Sequence, residues 1–182
     1  SVKAPEISIR GWQFYCHPSL SELTLTAQSI SISDYAFQGC PALRTVTLDG
    51  NGGVESYAFE NCSVLNKVAV NVDSIGQNAF SYSEVNKAVI CSRVMEIGNY
   101  AFSRCTELSD LDFQDGEQPL QIGEEAFAMT GISNLTIPSR VSSIGRFAFT
   151  QCNQLTGVMM EDKEGAGPLE MKENAFDGDT SL

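Results

Sequence analysis

The chain has 182 residues, of which 42% are hydrophobic, and it carries a formal net charge of −12. This charge argues against nucleic acid as a partner, because binding phosphates requires a basic surface. No apolar run approaches the roughly 20 residues that span a bilayer as a helix, so we expect no membrane insertion from this chain.

A short phrase recurs along almost the whole sequence. Its most regular part is a phenylalanine preceded by alanine in every copy except the first, where Gln13 takes the place of alanine. These phenylalanines are Phe14, Phe37, Phe59, Phe80, Phe102, Phe127, Phe149 and Phe176. Successive copies lie 21 to 27 residues apart, and self-similarity at this period is typical of a solenoid.

Each copy predicts the same elements in the same order. An apolar residue five positions before the phenylalanine is followed in four copies by glycine, as at residues 97–98, which predicts a sharp turn with a permissive φ. The next segment predicts a short helix or 3-10 corner, because Phe37, Cys40 and Leu43 would then share one face. Beyond it, the alternating Val-Thr-Leu of residues 46–48 predicts a short strand with every second side chain inward.

One such coil of the chain cannot bury its apolar side chains alone. Stacked at about 4.8 Å per coil, the strands form a parallel sheet and the Ile, Ala, Phe and Leu positions form one continuous core. The phrase therefore recurs because each coil must present the same apolar side chains to its neighbours.

The pattern L-x-x-L-x-L followed by I-G-x-x-A-F-x-x-C-x-x-L resembles the BspA-type, or Treponema-type, class of leucine-rich repeats. The resemblance extends from about Ile7 to Leu182. It implies a leucine-rich-repeat solenoid of the α/β class, with short parallel strands, short helical corners and about eight repeats of 21–27 residues. We expect residues 1–182 to form a single domain that is a fragment of a longer protein.

The resemblance also implies a function. Proteins of this class are secreted or lie on the surface of host-associated bacteria and some parasitic protists, and they are linked to adhesion to host proteins, extracellular matrix or other cells. We therefore expect a non-enzymatic protein-binding module at the cell surface. Two alternatives stay open: a carbohydrate-binding accessory module, and a structural spacer within a larger surface protein.

Cysteine and histidine positions indicate no catalytic, cofactor or metal site. Four cysteines occupy the third position after the phenylalanine, where the other copies have His17, Ser83, Thr130 and Asp179. This column predicts small, buried side chains that form hydrogen bonds. Cys16 and Cys91 lie outside it, and a disulfide between Cys16 and Cys40 stays open. The chain has one histidine, His17, and no C-x-x-C pair that would suggest zinc.

The outward positions of the strands predict the binding surface. They vary between copies although the inward positions are uniform, so packing does not dictate their identity. The predicted contact residues on this strand face are Lys67, Lys87, Asp110, Asp112, Asn134, Thr136 and Met159. Two longer copies insert acidic loops at one edge, the second containing Glu161 and Glu164. Whether these loops bind calcium stays open at this stage.

A second candidate surface is an aromatic stripe two positions before each phenylalanine. Its aromatic members are Trp12, Tyr35, Tyr57, Tyr100 and Phe147. Stacked coils would align these rings on the corner side. The stripe could stabilise the stacking of coils, or it could serve as a platform for sugar rings or an aromatic-binding partner.

Overall fold

The computed structural model describes residues 4–162 and 167–178. In these ranges the chain forms thirteen β-strands and no helix. The strands are β1 (Ala4–Ile9), β2 (Glu22–Ile32), β3 (Thr45–Val54), β4 (Lys67–Asn71), β5 (Ser74–Ile75), β6 (Lys87–Ile90), β7 (Glu96–Ile97), β8 (Asp110–Phe113), β9 (Leu120–Ile122), β10 (Asn134–Ile137), β11 (Val141–Ile144), β12 (Gly157–Met160) and β13 (Glu170–Met171). Nothing in the described ranges could therefore cross a bilayer as a helix.

Each coil contributes to two columns of parallel strands. The first column carries the Leu-x-Leu alternation and contains the first halves of β2 and β3, then β4, β6 and β8. The second column precedes the corners and contains β1, the second halves of β2 and β3, then β5, β7, β9, β11 and β13. Because β2 and β3 run through both columns, eleven strands form one sheet, while β10 and β12 pair separately. This architecture confirms the predicted leucine-rich-repeat solenoid.

The second column is a feature that the sequence patterns did not predict. Its later members have only two to four residues, as in β5 and β7. A segment of that length is too short to show an alternation of apolar and polar side chains. Its apolar residues occupy the predicted inward positions, since Ile75 and Ile97 are buried.

The glycines that begin the corners are required for a different reason from the predicted one. Neither Gly98 nor Gly145 has a positive φ. A Cβ atom on Gly98 would lie 2.8 Å from the backbone of the preceding coil, and one on Gly145 would lie 2.5 Å from Gly123. Real Cβ atoms do not approach backbone this closely, so glycine permits the contact between coils rather than an unusual φ.

The corners are successions of tight turns, so the predicted helical or 3-10 corner is wrong. In the second corner the amide of Phe37 donates to the carbonyl of Ala58 in the next coil at 2.8 Å, while the amide of Gln38 donates back to Tyr35 at 3.3 Å. Tyr35 and Gly39 have φ values of 60° and 69°. Left-handed residues are incompatible with a right-handed helix, so no helix can continue through the corner. Every second amide of the corner donates instead to a carbonyl of the next coil. The inward positions nevertheless lie where predicted.

The core is organised around a ladder of phenylalanine rings. Neighbouring rings stack with centroids 5.0–5.3 Å apart and planes within 13° of parallel. The six rings from Phe37 to Phe149 are fully buried. Burial of each ring removes a large apolar area from water, and each ring is a packing partner for the coils on both sides.

We expect truncation of a central ring to destabilise the solenoid strongly. Phe80→Ala removes contacts with both Phe59 and Phe102 and leaves a cavity that the parallel coils cannot close. The expected loss is about 3–5 kcal/mol in the free energy of unfolding, measured by urea denaturation. Tyr82→Ala, in the same corner but with a side chain 54% exposed, should cost less than about 1 kcal/mol. Equal losses for the two variants would contradict the importance of the ladder.

The left-handed positions predict a stabilising substitution. Glu125 has a φ of 50°, a conformation that costs a residue with a Cβ atom roughly 1–2 kcal/mol. Glu125→Gly relieves this strain but increases the entropy of the unfolded chain, so we expect a net gain of about 0.5–1 kcal/mol in the free energy of unfolding. The matched control is Glu124→Gly at a neighbouring residue without a positive φ, which should destabilise. A loss of stability in the first variant would argue against strain at this position.

Candidate functional site

The strand face brings four of the predicted contact residues together on the large sheet. Lys67 pairs in register with Lys87, and Lys87 pairs with Asp110. One position further along the same face, Val89 pairs with Asp112. The predicted columns are therefore present, with lysines in two successive coils and aspartates in the next. Their role in binding stays a prediction.

An ion pair joins the basic and acidic parts of this face. The Lys87 Nζ atom donates to an oxygen of Asp110 at 2.6 Å, and both side chains are about half exposed. The hydrogen bond and the charge of Asp110 raise the pKa of the Lys87 ammonium above its usual value. Within the described residues Lys67 makes no ion pair. Its ammonium group is therefore the more accessible of the two for a partner.

A shallow depression of about 300 Å³ lies between these lysines and the first coils. We call it the strand-face depression. Its lining includes the charged residues Glu22, Lys67 and Lys87 and the short side chains of Thr47 and Ala69. Short side chains on this face leave room for a side chain from another molecule, with charges of both signs beside it.

The remaining predicted contact residues lie on a separate part of the face. Asn134 and Thr136 on β10 pair with Gly157 and Met159 on β12, outside the large sheet. Met159 is 64% exposed. Glu161 follows β12, and its amide donates to the carbonyl of Ile137 at 2.9 Å. The structure thus divides the predicted surface between the two sheets.

The acidic loop after β8 borders a second depression of about 550 Å³, the edge depression. Asp73, Arg93, Met95, Asp115 and Glu117 are among its lining residues. Among residues 4–162 and 167–178, no three His, Cys, Asp or Glu side chains are grouped so as to hold a metal ion. Glu164 of the second acidic loop lies outside the described residues.

Two arginines that the sequence interpretation missed hold this edge together. Arg93 donates to the Asn51 side-chain oxygen at 2.6 Å and lies 3.8 Å from an Asp73 oxygen. Arg140 is only 7% exposed, and its guanidinium donates to the carbonyls of Gln114, Val94 and Cys91 at 2.9, 2.7 and 3.2 Å. Burial lowers the pKa of Arg140, while the charge of Asp115 opposes the shift. Both arginines stand in a Ser-Arg-Val tripeptide, a repetition that could have identified them.

The aromatic stripe is continuous only at its start. The ring of Tyr35 stacks on Trp12 at 4.4 Å and on Tyr57 at 4.9 Å between centroids, with planes within 12°. Both faces of Tyr35 are therefore covered by neighbouring rings. Tyr100 and Phe147 lie further along, separated by the coil that contains Glu125. Burial, then the charge of Glu125, raises the pKa of Tyr100.

The cysteine column has the predicted structural role. The thiols of four buried cysteines donate to phenylalanine carbonyls of the preceding coil at 3.1–3.4 Å, and these are Cys40, Cys62, Cys105 and Cys152. Ser83 makes the equivalent bond to Phe59 at 3.0 Å. Burial raises the pKa of Cys105 to about 12, which keeps it a thiol. Cys16 and Cys40 are both free thiols in this structure, so the disulfide between them is not formed.

Comparison with solved structures supports the same fold. A leucine-rich cell surface protein from Faecalibacterium prausnitzii A2-165 is 24% identical with a TM-score of 0.68, over 87% of this chain and 43% of that one. A leucine-rich repeat protein from Bacteroides ovatus ATCC 8483 is 18% identical with a TM-score of 0.52, over 97% of this chain and 69% of that one. The pneumococcal vaccine antigen PcpA is 18% identical with a TM-score of 0.50, over 96% and 41%. The chain thus spans less than half of the first and third of these proteins.

The sequence itself was compared with curated proteins and with family models. No curated protein matches the chain. The model of the BspA type leucine-rich repeat region, which contains six copies of the repeat, matches residues 7–118 and 73–182. These overlapping matches cover nearly the whole chain. With the phenylalanine ladder and the parallel strand columns, they show that the chain belongs to the BspA-type leucine-rich repeat family.

Proposed function

We propose that this chain is a non-enzymatic protein-binding module that mediates adhesion for a secreted or cell-surface protein. Its partner is a host or extracellular-matrix protein, or another surface protein. The proposal rests on the strand face. The inward residues of its strands are uniform from coil to coil, whereas the outward residues vary. There the ammonium of Lys67 and the Lys87–Asp110 pair border the strand-face depression.

A role on the surface is consistent with the similar structures. One of them is a cell surface protein and another is a vaccine antigen of pneumococcus. Their identities to this chain are below 25%, so the likeness itself concerns the fold. A repeat array of this kind presents a long, regular surface, which suits contact with another macromolecule better than enclosure of a small substrate.

Three residues of types that enzymes often use in catalysis make structural contacts here. The Nδ1 atom of the only histidine, His17, accepts a hydrogen bond from the amide of Leu20 at 3.1 Å. Asp110 is paired with Lys87, and the thiol of Cys105 is buried. At these three residues the contacts favour a structural role over acid–base or nucleophilic chemistry, in keeping with a binding function.

The stacked aromatic rings favour a structural role for the stripe over a carbohydrate platform. Sugar rings pack against open aromatic faces, and both faces of Tyr35 are covered. Trp12 is 56% exposed and remains the one member of this stack with a largely open surface. Carbohydrate binding is therefore the second candidate function, centred on Trp12, and a pure spacer is the third.

The test is a solid-phase binding screen of the chain against extracellular-matrix proteins and polysaccharides at two salt concentrations. We expect saturable binding to a protein, weakened by salt because charged groups contribute. Lys67→Glu combined with Lys87→Glu should weaken that binding by about tenfold or more, because the reversed charges repel an acidic contact on the partner.

The matched control is Arg104→Glu combined with Lys172→Glu, which changes the net charge equally but lies off the strand face. An equal loss in both double variants would show that the total charge, and not the strand face, governs binding. Salt-insensitive binding to a polysaccharide that is lost in Trp12→Ala would support the carbohydrate function instead. Binding to nothing in either panel would favour the spacer.

A further inference from the structure

The bend of β3 contains an Asn-Gly dipeptide, Asn51-Gly52, in an unusual setting. Gly52 has a φ of 97°, and a Cβ atom there would lie 2.3 Å from the carbonyl oxygen of Ile30. Only glycine fits, so no side chain shields the amide nitrogen of this residue. Asn51 is exposed to solvent. The nitrogen of Gly52 and the Cγ atom of Asn51 are two of the five atoms of the succinimide ring that an Asn-Gly pair can close.

A carboxylate contacts the amide that would close this ring. The Gly52 N–H donates to the Oδ2 atom of Asp73 at 2.7 Å. The Asp73 amide in turn donates to the Gly52 carbonyl at 2.7 Å. Asp73 is thereby fixed against Gly52 from two directions. A carboxylate at hydrogen-bond distance from a nucleophile's proton has the geometry of a general base.

A guanidinium contacts the group that would be attacked. Arg93 donates to the side-chain oxygen of Asn51 at 2.6 Å. A cationic donor at this oxygen polarises the amide and stabilises the negative charge that develops on it when a nucleophile adds to Cγ. Arg93 also lies 3.8 Å from Asp73, so the acidic and basic groups are held as one unit.

We propose that Asn51-Gly52 is a self-modifying site, at which Asp73 and Arg93 promote conversion of Asn51 to aspartate and isoaspartate. The Gly52 nitrogen transfers its proton to Asp73 and forms a bond to Cγ of Asn51. The bond from Cγ to Nδ2 then breaks, and Nδ2 leaves as ammonia with the proton returned from Asp73. Water opens the resulting succinimide at either carbonyl, adding hydroxyl to the carbon and hydrogen to the nitrogen.

The conversion changes the edge of the solenoid in two ways. It places a new carboxylate beside Arg93, which lines the edge depression together with Asp73, Asp115 and Glu117. The isoaspartate product also adds a methylene group to the backbone of β3, where Asn51 and Gly52 pair in register with β2. The site therefore links the age of the molecule to the charge and backbone geometry of this edge.

The experiment follows residue 51 by tandem mass spectrometry in the purified chain, kept at neutral pH in water enriched in heavy oxygen. We expect residue 51 to gain mass and take up heavy oxygen faster in the folded chain than in the same chain unfolded in urea. Asp73→Asn should slow the folded reaction by about tenfold or more, because it removes the base. Arg93→Gln should slow it as well, because it removes the polarising charge.

The matched control is Asp34→Asn, which removes a carboxylate that accepts an equivalent backbone hydrogen bond, from the amide of Ser56 at 2.9 Å. It should leave the rate at Asn51 unchanged. The proposal is overturned if folding slows the reaction relative to the unfolded chain. It is overturned equally if Asp73→Asn and Arg93→Gln, each confirmed to be folded by circular dichroism, react at the rate of the unmodified protein.

Discussion

Parallel hydrogen bonding between successive coils is the constraint on which the rest of this structure depends. Backbone groups that would be satisfied within a helix are instead satisfied by the next coil, in the strands and also in the corners. This bonding fixes the spacing between coils at about 5 Å. Any side chain that points inward must then fit directly against its equivalent, which explains why the phenylalanine rings stack nearly parallel.

The same spacing explains the strained corners. An amide can reach the next coil at alternate residues only if the backbone reverses its curvature, and each corner does so with two left-handed residues. In most corners these residues are not glycine, so each coil carries a conformational cost. The stacking of rings such as Trp12 on Tyr35 compensates for part of that cost, and this explains why aromatic residues occupy positions where glycine or asparagine would be expected.

Residues on the strand face and in the edge loops are not constrained by packing between coils. Outward residues such as Lys67 and Asp110 contact neighbours without entering the core, so their identity can vary between coils. At the edge, Arg93 and Arg140 reach back across two coils and hold loops of different length in place. The features that could serve recognition and chemistry therefore lie where the repeat is least regular, including the Asn51-Gly52 bend, which Asp73 and Arg93 contact.

The sequence alone determined the solenoid, the inward positions and the role of the cysteine column, because these features repeat with every coil. It also placed Lys67, Lys87 and Asp110 in one outward column, since strand alternation fixes the direction of side chains. Only the tertiary structure decided that the corners are turns rather than helices, because the amides of residues such as Phe37 bond to a coil more than twenty residues away. The contacts of Arg93 and Arg140 likewise join residues more than forty positions apart. The Ser-Arg-Val repetition marks these arginines but not their partners, because the partners depend on the distance between coils that stacking alone establishes.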